Sequence, residues 1–204
     1  TQGFETIFEL GEYFFTVLLV LIIHLIFTYG GLLLILGKIN IFKFFSKMKN
    51  SMLFAFSTSS SAATIPVNLK TVEENLGVKK SVASFTVPLG ATINMDGTAI
   101  MQGVATVFIA NTYGIDLSLA DFMSVILVAT LASIGTAGVP GVGLIMLTMV
   151  LNQVGLPVEG IALIIGIDRI LDMTRTAVNV TGDATISCIV AKIEKKLDIK
   201  KLNS

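Results

Sequence analysis

Two uncharged apolar stretches in this chain each begin and end beside charge of one sign. Ser51–Leu69 follows Lys43, Lys47 and Lys49 and precedes Lys70, Lys79 and Lys80. Phe122–Val158 lies between Asp116 with Asp121 and Glu159, and it is interrupted by Gly135, Gly138, Pro140, Gly141 and Gly143. A bilayer crossing takes about 20 apolar residues. The first stretch is therefore too short to cross and return, and each arm of the second is too short to cross once. Lysine-rich connections stay in the cytoplasm, so each stretch is expected to enter and leave on one side, as a re-entrant hairpin. Non-helical backbone at membrane depth is tolerated only where it is buried in protein or lines a polar cavity. Two such breaks predict a site.

Composition supports a membrane setting. The chain is 53% hydrophobic and 14% charged, with a mean hydropathy of +0.86, whereas soluble domains carry about 25% charged residues. Tyr13–Gly37 contains no Asp, Glu, Lys or Arg and is long enough for one full span. Its His24 reads as a helix-facing or interfacial imidazole, with a polar contact as the alternative. Lys38, the lysines flanking Ser51–Leu69, and Lys192, Lys195, Lys196, Lys200 and Lys201 are expected on the cytoplasmic side, which places the C-terminus there. The formal net charge of zero gives no basic field for nucleic acid. A single cysteine, Cys188, excludes an internal disulfide framework. The chain opens Thr1-Gln2-Gly3 without Met or a signal peptide and reads as a fragment whose earlier part lies elsewhere.

The two halves resemble each other. Ser59-Ser60-Ser61-Ala62-Ala63-Thr64-Ile65-Pro66 precedes Asn94-Met95-Asp96-Gly97-Thr98, and Ser133-Ile134-Gly135-Thr136-Ala137-Gly138-Val139-Pro140 precedes Asn179-Val180-Thr181-Gly182-Asp183. Each half is a small-residue break ending in Pro, followed by a span carrying Asn and Asp. One hairpin enters from inside and the other from outside, the pattern of an inverted repeat with a midplane site.

The last span, from about Ile161 to Ala191, carries Asp168, Asp172, Arg175, Asn179 and Asp183 at helical spacing. At 100° per residue the five fall within about 80° of one another. Ionisable groups at mid-membrane are costly, so this stripe cannot face lipid. Arg175 has the planar fork that suits a carboxylate, and Asp172 suits an ammonium, so together they match an acidic amino acid. Asp96 and Asp183, with neighbouring Asn and Thr oxygens, suit a hard monovalent cation. No His or Cys cluster offers a zinc site, and Gly-x-Gly-x-x-Gly and Walker patterns are absent.

In TSSSAATIP (58–66), PLGATINMDGTA (88–99), ASIGTAGVPGVG (132–143) and LDMTRTAVNVTGD (171–183) the sequence resembles the glutamate/aspartate transporter family, the dicarboxylate/amino acid:cation symporters. The resemblance runs from about residue 6 to about 192. It implies an all-α polytopic membrane protein, an inverted-repeat transporter core with two re-entrant helical hairpins and a broken seventh span. Residues 1–192 would form a partial transport domain: span six at 6–37, hairpin one at 43–75, span seven at 81–111, hairpin two at 119–154 and span eight at 158–192. Residues 193–204 would form a basic cytoplasmic tail. Spans one to five, which carry the homotrimeric scaffold in this family, would precede the segment.

Carried over position by position, the resemblance implies that Ser59, Ser60 and Ser61 and the backbone of Val139, Pro140, Gly141 and Gly143 close on the substrate. Thr98 and Arg175 would hold its side-chain carboxylate, Asp172 its amino group, and Thr176 and Asn179 the remaining polar edge. One Na+ would sit on carbonyls of Gly90, Asn94 and Asn179 with the Asp183 carboxylate. A second would use Thr92, Ser133, Ile134 and Thr136 near the Met95 sulfur, and a third Asn94 with Asp96.

The implied function is sodium-coupled symport of glutamate or aspartate in the plasma membrane, not catalysis. The family carries an Arg at the position of Ser59 or of Met173; this chain has neither. Arg169, one turn before Met173, is either a substitute or an interfacial contact. A C4-dicarboxylate symporter is the nearest alternative and would not need Asp172 to meet an ammonium. An intramembrane aspartyl protease using Asp96 and Asp183 is a distant one, and it leaves Arg175 and both hairpins without a role.

Overall fold

Strings of aliphatic residues punctuated by Gly, Pro and Asn fold here into helices alone. The computed structural model describes residues 2–203, with side chains described from Phe8 to Leu202, so residues 1 and 204 of the expected domain and tail fall outside it. Among the described residues the single extended contact is an isolated bridge between Val78 and Leu197.

Helix α1 (Gln2–Ile23) continues through a π-helical turn, His24–Tyr29, a short α-helical stretch, Gly30–Leu32, and a second π turn, Leu33–Gly37. The rod stops at Lys38, whose φ of 51° is left-handed. Residues Phe8–Gly37 make the one described helix long and apolar enough to cross a membrane by length and composition. Two helical pairs follow. In the first, α2 (Ile41–Thr58) is capped by Asn40, which accepts the Lys43 amide, and α3 (Ser61–Lys70) is capped by Ser60, which accepts the Ala63 amide. In the second, α6 (Leu119–Ile134) opens with a Ser118–Asp121 capping box and α7 (Val142–Gln153) follows the left-handed Gly141. Each cap satisfies an otherwise orphaned amide, worth about 1 kcal/mol.

Between the pairs lie α4 (Lys80–Ile93) and α5 (Asp96–Thr112). The backbone leaves helical geometry at Asn94 (φ −98°, ψ 75°) and Met95 (φ −112°, ψ 44°). This interruption leaves the last carbonyls of α4 and the first amides of α5 without intrahelical partners. The helix is therefore interrupted where a break was expected, with Asn94 and Met95 at the interruption.

Helix α8 (Ile161–Ile193) is the axis, packing against α1, α2, α4, α5 and α7. Residues 175–185 are buried on every face, although they include Arg175, Thr176, Asn179, Thr181, Asp183 and Thr185. A polar helix enclosed on all sides must find its partners inside the protein. Glycines allow the closest approaches to it. A Cβ at Gly90 would fall 2.5 Å from Asp183 Oδ1, and one at Gly182 would overlap the Tyr29 hydroxyl and the Asn94 amide. Two apolar clusters flank this polar segment: one around Tyr13, Met101, Ile109, Leu147 and Ile164, the other around Leu33, Phe44, Met48, Leu76 and Ala184.

Candidate functional site

The helical pairs meet at their tips. Ser59 ends α2 with φ 50°, a left-handed conformation uncommon for a residue with a Cβ. At the tip of the second pair the Gly138 carbonyl accepts from the Ser60 hydroxyl (2.6 Å) and the Ala62 amide (3.1 Å). Behind this junction lies a cavity of about 20 Å³, lined by Ser59, Ser61, Met95, Thr98, Thr136, Ala137, Gly138, Val139, Gly143, Asp172, Thr176 and Asn179. That is room for about one water, so an amino acid enters only if a tip moves. Gly141 N donates to Asp172 Oδ2 at 3.1 Å, tying the second tip to α8. The Ser59 hydroxyl is buried and has no hydrogen-bond partner among the described residues, which leaves it available to a ligand.

Eight of the twelve residues expected to bind substrate line this cavity: Ser59, Ser61, Thr98, Val139, Gly143, Asp172, Thr176 and Asn179. Ser60 is engaged in the tip contact, and Pro140 and Gly141 stand outside the lining. Arg175 also stands outside it. Its guanidinium is 1% exposed and forks onto Asp168, Nη1 to Oδ1 at 2.5 Å and Nη2 to Oδ2 at 3.2 Å, with Nη2 also 3.0 Å from Asp172 Oδ1. A Cβ at Gly143 would lie 3.6 Å from Nη2, so the guanidinium sits directly behind the cavity wall. Arg175 Nε has no partner. Helical side chains lean toward the N-terminus, which lets Arg175 reach back two turns to Asp168. Asp168 was visible as a member of the polar stripe, but its role in holding Arg175 was not. Arg169 is exposed and does not line the cavity.

Two carboxylates lie below. Asp183 is 2% exposed and accepts one donor, the Asn94 side-chain amide at 3.1 Å, which also donates to the Asn179 carbonyl at 3.0 Å. Among the described residues no Lys, Arg or His pairs with it. A buried carboxylate without a cation is costly. Here Gly90 lies against it, the Asn94 amide stands between it and the Asn179 carbonyl oxygen, and no described group of three or more His, Cys, Asp or Glu is present. Oxygen donors around one carboxylate fit a hard cation better than a transition metal. Asn179 bridges upward: its Oδ1 accepts from Gly97 N at 2.7 Å and its Nδ2 reaches the Met95 sulfur at 3.4 Å.

His24 is helix-facing and makes a polar contact across to α5: His24 Nε2 is 3.0 Å from Asp96 Oδ2, and the Tyr29 hydroxyl donates to the same oxygen at 2.9 Å. The π turn His24–Tyr29 points both rings at α5, packed edge to face at 4.6 Å. Tyr29 carried no signal in the sequence. The residues expected around a second Na+ are less assembled. Thr92 and Ile134 are exposed, and the hydroxyls of Thr92, Ser133 and Thr136 bond to carbonyls of their own helices.

Residues 1–193 match the family model of the Sodium:dicarboxylate symporter family. The chain is 46% identical to mouse Excitatory amino acid transporter 3 over 195 residues, 96% of this chain and 37% of that protein. It is 43% identical to human Excitatory amino acid transporter 2 over 192 residues, 92% of this chain and 33% of that protein. The chain thus spans about a third of the length of these relatives, which are named as transporters. Sharing that family's sequence over nearly its whole length, the chain belongs to the sodium:dicarboxylate symporter family.

Proposed function

We propose that this chain is the substrate-carrying part of a longer plasma-membrane protein that moves glutamate or aspartate inward with sodium by alternating access. The observation that carries this reading is the juxtaposition on α8. Arg175 and Asp172 stand at a small cavity between two helical tips, and a buried carboxylate that no described Lys, Arg or His pairs, Asp183, lies about 12 Å further along the same helix. The guanidinium suits the side-chain carboxylate and Asp172 the amino group. Asp183 with Asn94, Asn179 and Gly90 takes one sodium as co-substrate, and Asp96 with Asn94 takes another. Thr92, Ser133, Ile134 and Thr136 near Met95 take a further sodium once the second tip closes on substrate. The 43–75 and 119–154 segments act as re-entrant hairpins, the first from the cytoplasm and the second from outside. The homotrimeric scaffold comes from spans preceding this segment.

The second tip is the external gate in this reading, since its glycines Gly135, Gly138, Gly141 and Gly143 permit backbone motion and its acidic flanks suit the outer face. A full-length protein with Ala137→Cys as its only cysteine, Cys188→Ser included, is expected to react with an impermeant thiol reagent from outside. Saturating sodium plus aspartate should slow the reaction several-fold. A labelling rate indifferent to both would sink the gate assignment. Excess succinate is expected to leave aspartate uptake largely intact; equal competition by succinate would instead favour a C4-dicarboxylate carrier, for which Asp172 has no ammonium to meet.

A further inference from the structure

We infer that the lysine-bearing end of the molecule is a docking surface for acidic phospholipid headgroups of the cytoplasmic leaflet, an inference that rests on the proposed orientation. All twelve lysines fall in three segments, 38–49, 70–80 and 192–201, far apart in sequence. The fold brings these segments together. The Lys79 amide donates to the Lys196 carbonyl at 3.0 Å, the Asp198 amide to the Gly77 carbonyl at 2.8 Å, and Lys47 Nζ to the Lys201 carbonyl at 2.7 Å. Leu202, 1% exposed, is buried with Phe44, Met48, Val72, Leu76 and Val78. The tail after α8 is thus folded back and held mainly by backbone bonds and one buried leucine.

A tail held only by its charges would spread them into solvent. This one is fixed where it concentrates them, against four acids in the same segments, Glu73, Glu74, Glu194 and Asp198, an excess of eight positive charges. Such a field attracts a surface of opposite sign. Exposed apolar side chains are interleaved with the lysines: Phe42 at 86%, Ile193 at 69% and Ile199 at 43% exposure. Lysine with adjacent aromatic and aliphatic residues suits the boundary between headgroups and acyl chains, which a soluble anion does not supply. The opposite end carries Glu12, Asp116, Asp121 and Glu159 and no lysine, so the polarity belongs to one face.

The test uses the full-length protein in phosphatidylcholine nanodiscs carrying traces of spin-labelled lipid. Spin-labelled phosphatidylglycerol is expected to be immobilised about fivefold more strongly than spin-labelled phosphatidylcholine at low salt, and the preference should fade as salt rises. Lys79→Gln/Lys80→Gln/Lys195→Gln/Lys200→Gln should abolish the preference, and the corresponding four Lys→Arg changes should retain it. An unchanged preference in the glutamine variant overturns the inference, as does equal loss in the arginine variant. Displacement by inorganic phosphate at an ionic strength where chloride has no effect would reveal a soluble-anion site and also overturn it. Sodium-driven aspartate uptake by the same protein separates the two readings: intact uptake without lipid preference sinks this inference alone.

Discussion

Arg175→Cys in the full-length protein is expected to abolish high-affinity aspartate transport while leaving uptake of small neutral amino acids. Removing the guanidinium would leave the substrate carboxylate of the proposed site without its buried cationic partner. Truncating one partner of a buried, hydrogen-bonded charge pair costs about 2–5 kcal/mol, some thirtyfold to a few thousandfold in affinity. The change also strands Asp168, which is 3% exposed and takes both guanidinium nitrogens. Part of the loss could therefore reflect a disturbed helix rather than a lost ligand. Retained serine or alanine uptake distinguishes the two, because a misfolded site transports neither class. Arg175→Lys, which keeps charge but lacks the fork, should fall between wild type and Arg175→Cys for aspartate. Aspartate affinity undiminished in Arg175→Cys would remove Arg175 from the substrate site.

Asp183→Asn is expected to act on sodium first and substrate second. The carboxylate is enclosed, accepts one neutral donor and lies against Gly90, where no Cβ fits. It is too far along α8 to grip the same small molecule as Arg175. Neutralising it should lower sodium affinity by an order of magnitude or more, as for a charge removed from a buried pair. Asn179 connects the levels: its carbonyl faces Asn94 and Asp183, and its side chain holds Gly97 N and approaches Met95. Linkage is reciprocal, so at fixed sodium the apparent aspartate affinity falls too. Raising sodium should restore aspartate binding in Asp183→Asn but not in Arg175→Cys. Aspartate titrations at several sodium concentrations read this directly. Wild-type sodium dependence in Asp183→Asn would make the carboxylate structural.

Much of this arrangement was legible in the residues. Gly and Pro at 135–143 and the serines at 59–61 marked the tips, because clustered small residues and Pro break an apolar helical run and let the chain turn. The spacing of Asp172, Arg175, Asn179 and Asp183 marked one helical face, because uncompensated charge cannot meet lipid. What stayed hidden depends on geometry that spacing does not encode. His24 and Tyr29 lie five residues apart, and a regular α-helix would set them on divergent bearings; a π turn brings both onto Asp96. Asp168 lies two turns from Arg175, beyond ordinary i,i+4 pairing, and meets it because the arginine side chain lies back along the helix. Ser59 adopts a left-handed backbone that nothing in a run of three serines announces. The cavity's closure is likewise a property of two tips meeting across 78 residues, through Ser60 and Gly138.

The central claim is that inward movement of an acidic amino acid is driven by sodium through this site. Uptake of labelled aspartate by the full-length protein in proteoliposomes, with sodium outside and potassium or choline inside, tests it most directly. The account predicts transient accumulation above the external concentration, steep dependence on external sodium, and collapse when an ionophore dissipates the gradient. Uptake that proceeds equally in choline, or that only equilibrates under a full sodium gradient, would contradict it.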